Sequence, residues 1–429
     1  MTSAERIDRN DAQKCELQWL SANELHAECV IVENRQSAPA RISKLSGSRA
    51  KFFAGFLVLA LAASTAAFPL TATAADDIRV AGPGVSPQLF FACCNRGPDE
   101  TRSLFADPRV ISSLRNLHAG VAVDTDDLSP SRAQIVQRLN EAGIPVVAGL
   151  VLLGDQGYYL NSGNAPQAAA RFAAFQQWTA HYGLRWSAVG LDIEPDIRLF
   201  DDLQHHRLRL ASLLLIHYFE IAQVRRARVA YSNLIHRIQS QGYKVLTYQL
   251  PLIVAERKVH LTLLERLLGI VDVRGDDEII MIFSGLNQAM GSAMIWTLGP
   301  DSQSIAVLGT DAPEHPLSWN DFSRDLIVAS HFSHVVGVYD LEGAVRLGFL
   351  SCLETMDWRQ SATISAQSLM LAQRLQRIAC IVLWLVELWP LIVFAILLAF
   401  VWIVTRRYKR RRNRKSTLGP SLDSPPVQP

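Results

Sequence analysis

The sequence predicts an α/β fold: a (β/α)8 TIM-like barrel with a C-terminal transmembrane helix and an N-terminal signal or anchor helix. Three observations predict it. Eight short apolar segments alternate with helix-like segments over about 270 residues, the size of such a barrel. Most of these segments are apolar on both faces, as strands of a parallel sheet covered on both sides must be. No G-x-G-x-x-G follows the first strand and no G-x-x-x-x-G-K-[ST] occurs, so the rival open sheet has no nucleotide cradle to support it.

The elements follow in order. QLFFACC from Gln88 is the first strand, ended by the turn NRGPDE, and DPRVISSLRNLH is helical. Ala119–Asp124 is a strand, and Ser129-Pro130 and Gly143 bound the helix after it with a cap, an N-terminal proline and a C-terminal glycine. IPVVAGLVLL is a strand, APQAAARFAAFQQWTAHYG a helix ending at Gly183, and Trp186–Pro195 the fourth strand. The stretch 202–242 is helical and long enough for two helices. GYKVLTYQLP is a strand, LTLLERLLGIV a helix, Asp276–Gly285 a strand, NQAMGSAMIWTLG a helix and SIAVLGT a strand. WNDFSRDLIVASHF is a helix and His334–Gly343 the eighth strand.

The chain has 429 residues, 49% hydrophobic and 19% charged, which suits a soluble domain plus one or two apolar segments better than a polytopic protein. Its net charge of +2 is unevenly spread, because the run from Arg406 to Lys415 carries eight positive residues in ten. The rest is net acidic, so the body offers no nucleic-acid surface and no nucleic-acid partner is expected. That basic run directly follows Ile378–Val404, an apolar segment longer than the roughly 20 residues a bilayer span requires. Placed there, it fits the excess of cations on the cytoplasmic side of a span. Trp384, Trp389 and Trp402 lie near the two ends, as interfacial aromatics do, and Glu387 sits close enough to one boundary to reach water. Phe52–Leu70 is a second apolar segment, preceded by Arg41, Lys44, Arg49 and Lys51 and followed by Ala72-Thr73-Ala74, the order of a secretory signal.

Residues 1–50 are a disordered cytoplasmic stretch or precede the true start, and 51–75 are a signal peptide or signal anchor. Residues 76–375 form an extracytoplasmic barrel, 378–405 a transmembrane helix and 406–429 a basic cytoplasmic tail. Cys93, Cys94 and Cys352 fall in the exported body at a spacing that is not a zinc site. One disulfide from Cys352 to Cys93 or Cys94, or a buried free thiol, fits them. No metal and no cofactor is expected.

In such barrels the chemistry lies at the C-terminal ends of the strands. Those ends present Asp124, Asp126 and Asp127, then Asp155, then Asp192 and Glu194. Tyr248 and Gln249 follow, then Ser284, Asp311, Tyr339, Asp340 and Glu342, so the mouth is acidic and aromatic. The sharpest element is V-G-L-D-I-E-P-D, Val189 to Asp196. Strand residues two apart share a face, so Asp192 and Glu194 point one way and Ile193 the other. Two carboxylates so close raise one pKa, and a carboxyl kept protonated near neutrality can protonate a leaving oxygen. The same pair would equally suit a cap on the following helix.

This D-x-E resembles the catalytic strand of chitinase-type, hyaluronidase-type and Chalaropsis-type lysozyme barrels, all glycoside hydrolases. The resemblance implies Glu194 as general acid and Asp192 as the residue that orients an N-acetyl group acting as internal nucleophile. The chitinase pattern is D-x-x-D-x-D-x-E, and here Ser187 and Gly190 stand at its first two positions. Glu194-Pro195 is also similar to the Asn-Glu-Pro of cellulase-type barrels, with Ile193 in place of the Asn; the second carboxylate of that group would then be Asp311 or Glu314. What the resemblance implies is a membrane-anchored extracytoplasmic glycoside hydrolase, its partners a polysaccharide or glycan such as an N-acetylated cell-envelope polymer, and the lipid bilayer. Asp124, Tyr248, Gln249, Tyr339 and Asp340 would then bind substrate. The alternative is a non-catalytic carbohydrate-binding scaffold on the same barrel. Asp124 and Asp340 equally suit caps or salt bridges, and Tyr158, Tyr159 and Tyr339 suit sugar stacking or ordinary packing. Val224-Arg225-Arg226-Ala227-Arg228 gives its helix a basic face, suited to solvent or to an anionic lipid or polymer.

Overall fold

The computed structural model describes residues 76–94, 98–199, 202, 206–287, 289–308 and 317–416. β1 (Ile78–Val80) stands apart from the barrel and pairs antiparallel with β10 (Ala362–Ile364), a ribbon the sequence did not signal. The eight strands between them close into one parallel barrel in chain order. They are β2 (Gln88–Cys93), β3 (Gly120–Asp124), β4 (Val146–Leu150), β5 (Ala188–Asp192), β6 (Lys244–Gln249), β7 (Asp277–Met281), β8 (Ser304–Leu308) and β9 (Val335–Tyr339). β9 pairs with β2 through Leu89↔Val336 and Ala92↔Tyr339, which closes the ring. Each matches one of the eight apolar segments read from the sequence.

Local signals set the helix ends. α1 (Pro98–Ala106) is followed by α2 (Pro108–Asn116), where Asp107 accepts the Arg109 N–H at 2.9 Å and Pro108 takes the first helical position. In α3 (Pro130–Glu141) Ser129 accepts the Arg132 N–H at 3.2 Å. α4 (Ala165–Tyr182) stops at Gly183, in the left-handed conformation usual after a helix end. The long stretch after β5 divides into α5 (Arg207–Tyr218) and α6 (Ile221–Ser240). α7 (Leu252–Val259), unread in the sequence, precedes α8 (Leu263–Leu268). α9 (Gly291–Leu298), α10 (Trp319–Ser330), α11 (Leu341–Arg346) and α12 (Phe349–Glu354) complete the outer layer.

α13 (Ala366–Ser416) is one helix, Pro390 included, and is long and apolar enough to cross a membrane. Its first turns belong to the barrel: Leu369, Ala372, Leu375 and Leu383 are buried, and the helix packs on α7 and α9. From Trp384 to Val404 most of the apolar side chains are exposed rather than packed on the barrel. Glu387 is partly exposed and also engaged: Arg266 of α8 forms an ion pair with it, and the Tyr218 hydroxyl donates to its backbone carbonyl at 3.0 Å. The signal or anchor segment at 51–75 and the end of the basic tail lie outside the described residues. Cys93 and Cys94, neighbours in sequence, are joined by a disulfide, and Cys380 is the free cysteine among the described residues.

Candidate active site

Burial alternates along the strands and separates two faces. Leu89, Phe91 and Cys93, Val121 and Val123, and Val336 and Val338 are fully buried against the helices. Phe90, Ala92, Ala122, Asp124, Leu246, Tyr248, Gly337 and Tyr339 are less enclosed and, by strand alternation and register, line the lumen. Register carries the lumen face from Asp124 to Gly149 and Gly190, and pairs Asp192 with Tyr248 one level higher.

Two strand glycines make room for the larger groups. A Cβ on Gly149 would lie 2.9 Å from an Asp124 carboxylate oxygen, and one on Gly190 would lie 2.6 Å from Cε2 of the Tyr248 ring. Glycine in a strand interior often marks such a close approach. Asp124 accepts a hydrogen bond from the Tyr158 hydroxyl at 3.1 Å. Tyr158 comes from the loop after β4, at a positive φ of 59°, and its ring meets Tyr159 edge to face. Burial, then the charges of Asp192 and Asp124, hold the Tyr248 phenol well above the usual tyrosine range, so it stays neutral. Asp124, Asp192, Tyr158 and Tyr248 thus form one cluster at the C-terminal ends of β3, β5 and β6.

Glu194 lies two residues past Asp192 and is 3% exposed. Between them Ile193 is fully buried, bridges to Leu160 and donates its N–H to the Tyr248 carbonyl at 3.3 Å. The extended backbone therefore persists through Ile193, the condition for the two acids to share a side.

Tyr339 faces the lumen at the end of β9, its ring edge to face with Phe283 at 6.1 Å. Two of the expected substrate ligands are engaged elsewhere. Gln249 is fully buried on the helix side, where its amide donates to the carbonyls of Val271 at 3.1 Å and Val273 at 3.3 Å. It stands one residue past the lumen-facing Tyr248, and alternation turns it outward. Asp340 is fully buried and caps α11, accepting the Gly343 N–H at 2.7 Å. Other acids of the rim also hold local structure. Asp127 accepts from the Ser129 N–H and hydroxyl at 2.9 and 2.8 Å, and Asp126 lies 3.6 Å from Arg132. Burial outweighs that arginine and raises the Asp126 carboxyl above its usual range. Glu342 accepts the Cys94 N–H at 3.0 Å. Asp311 and Glu314 lie outside the described residues. The contact of Tyr158 with Asp124 has no counterpart in the sequence reading; the signal available was the pair of glycines inside apolar strands, which marks where bulky lumen groups sit.

Among the described residues no group of three or more His, Cys, Asp or Glu is arranged to hold a metal ion. No protein-family model matches the chain, and no curated protein sequence matches it. Solved structures resemble it in fold. The glycoside hydrolase domain of PgaB (BpsB) from Bordetella bronchiseptica aligns with 64% of this chain and 99% of its own, at 8% identity and a TM-score of 0.40. A broad-specificity GH5-4 endoglucanase from an uncultured bacterium aligns with 64% of this chain and 84% of its own, at 9% identity and 0.35. A D-allulose 3-epimerase from Methylomonas sp. aligns with 69% and 98%, at 9% identity and 0.33. At such scores the likeness identifies neither an activity nor a substrate for this chain.

Proposed function

We propose that this protein is a membrane-tethered glycoside hydrolase whose barrel works outside the cytoplasm, with Glu194 as general acid assisted by Asp192. The observation that carries the reading is the lumen cluster in which the Asp192 and Asp124 carboxylates lie close enough to the Tyr248 phenol to raise its pKa, with Tyr158 hydrogen-bonded to Asp124. A sugar needs hydrogen-bond acceptors for its hydroxyls and flat apolar surface for its ring faces, and carboxylates among tyrosines supply both.

In the proposed reaction Glu194 gives its proton to the glycosidic oxygen as the bond to the anomeric carbon breaks. On an N-acetylated glycan, the acetamido oxygen attacks that carbon and Asp192 takes a hydrogen bond from the acetamido N–H, which holds the group in line. Water then opens the cyclic intermediate, and Glu194, now a carboxylate, accepts the water's proton. Tyr158 fixes Asp124 by a neutral hydrogen bond, and Tyr248 stands beside Asp192 as a neutral wall, so neither adds positive charge.

The tether is supported by the outward-facing apolar surface of α13 and by the cationic residues from Arg406 that follow it directly. Both support a tail on the inside and a barrel on the outside. The test uses the full chain in detergent or vesicles with a panel of soluble glycans. Glu194→Gln is expected to abolish product release while the thermal transition is kept. Full activity in that variant would remove the proposal, and saturable glycan binding without product in both forms would favour the non-catalytic carbohydrate-binding scaffold.

A further inference from the structure

The corner between α5 and α6 exposes an apolar surface that the barrel does not use. Leu215 is 65% exposed, Ile216 58%, Phe219 68% and Ile221 44%. Arg225 and Arg226 are exposed one turn further along α6. Ile221, Arg225 and Val229 recur at intervals of four, one stripe of a helix that is apolar and basic on its outer side.

The position of this corner says what it meets. Tyr218, in its midst, donates to the backbone carbonyls of Val386 at 3.3 Å and Glu387 at 3.0 Å on α13. Arg266 pairs with Glu387 and stacks over the Tyr218 ring at 5.1 Å, so the corner is fastened to α13 at that level. At the far end, Arg406 lies 4.9 Å from the Trp402 ring centroid, and the apolar run stops at Val404. Counting back about 20 residues at 1.5 Å each covers about 30 Å of hydrocarbon and reaches Leu385. The contact with Tyr218 therefore lies where the span would enter the outer leaflet.

Resting on the tether reading above, we propose that the α5–α6 corner is a second membrane contact. Leu215, Ile216, Phe219 and Ile221 enter the outer headgroup layer beside α13, and Arg225 and Arg226 meet the phosphates of anionic lipid. Large apolar side chains beside exposed arginines are the composition of an interfacial helix. Two points of attachment, one spanning and one lying in the surface, fix how the barrel mouth faces the bilayer, which a single helix would leave free to rotate.

The full chain, reconstituted in phosphatidylglycerol–phosphatidylcholine vesicles with bromine on the acyl chains, tests this. Phe219→Trp adds emission to that of the native tryptophans. The added emission is expected to be quenched by half or more relative to unbrominated vesicles, and to be shielded from aqueous acrylamide. Arg109→Trp, at an exposed site on α2, supplies the water-facing reference and is expected to show no bromine quenching. Native Trp389 and Trp402 report on the tether independently. If their emission is quenched and that of Phe219→Trp matches the reference, the corner is free in water and this proposal fails while the tether stands. If none is quenched, the tether fails and the proposal with it. Charge reversal by R225E and R226E together is expected to cut the Phe219→Trp quenching at least twofold; no change would overturn the role given to the two arginines.

Discussion

On the flank built by α6, α7 and α8, four carboxylates are met by guanidinium groups. Arg228 donates to Glu265 at 3.0 Å, Arg257 to Asp272 and Glu278 at 2.9 Å each, and Arg266 to Glu387. At the barrel mouth the same chemical type keeps different company: Asp124 accepts from the Tyr158 phenol, and Asp192 stands beside Tyr248 in register, where both carboxylate charges act on that phenol. An arginine compensates a carboxylate's charge and fastens two elements together, whereas a phenol orients the carboxylate and leaves its charge to act on whatever enters. The difference teaches that acidity alone does not locate a site in this molecule. The partner does, and the two regions should respond to substitution in opposite ways, one in activity and the other in stability.

The sharpest way to break that comparison is Asp192→Asn. The substitution keeps shape and removes charge, so kcat on a cleavable glycan is expected to fall about 10²–10⁴-fold, the scale of a positioned acid–base group, while the unfolding temperature stays within about 2 °C. A loss of stability with activity retained would move Asp192 into the structural class. Next in size is Arg266→Leu on the flank. It removes a side chain only 3% exposed and leaves the 31% exposed Glu387 without its partner, a half-buried pair whose loss costs about 1–3 kcal/mol. Denaturation of the detergent-solubilised chain should register that loss, and glycan turnover per folded molecule should not change.

Gly190→Ala probes the mouth by shape instead of charge. The new methyl would sit 2.6 Å from the Tyr248 ring, whose strand position gives it little room to retreat. Overpacking of this kind costs about 1–3 kcal/mol. The displaced phenol should also raise KM, a pairing of effects expected at the mouth and not on the flank. A neutral outcome in both would show that Tyr248 is free to move and is no fixed wall of the site.

How much of this was legible beforehand follows from what each feature depends on. The eight strands were readable because a parallel strand buried on both faces leaves a continuous apolar run, as in VVAGL of β4 and AVGLD of β5. α7 was not: Pro251 marks the break after β6, but Leu252–Val259 is only eight residues, too short for its period to stand out. At the site, Asp124, Asp192, Tyr248 and Tyr339 fall on the lumen face as strand ends predict. Gln249 and Asp340 differ from them by a single step of alternation and by the start of a helix, neither of which a strand-end reading resolves. Tyr158 reaches Asp124 from a loop, and a contact between residues 34 apart has no local signature.

The smallest effect separates the flank from the mouth by pH. Glu256 of α7 is 1% exposed and accepts the N–H groups of Leu264 at 2.6 Å and Glu265 at 3.2 Å. Burial, aided by the nearby Glu265 charge and opposed by those hydrogen bonds and by Arg266, raises its carboxyl from 4.5 to about 7. The native state therefore binds more protons than the unfolded chain between about pH 4.5 and 7, and this group's contribution to stability falls as pH rises through that window and levels off above it. Each pH unit crossed inside the window costs at most about 1.4 kcal/mol, or a few degrees in unfolding temperature between pH 5 and 6. Glu256→Gln does not titrate, so its thermal profile should lose that slope relative to the unsubstituted chain, whatever its absolute stability. Parallel profiles would mean that the flank's arginines already hold Glu256 ionised, making it a fifth compensated carboxylate on that side of the barrel.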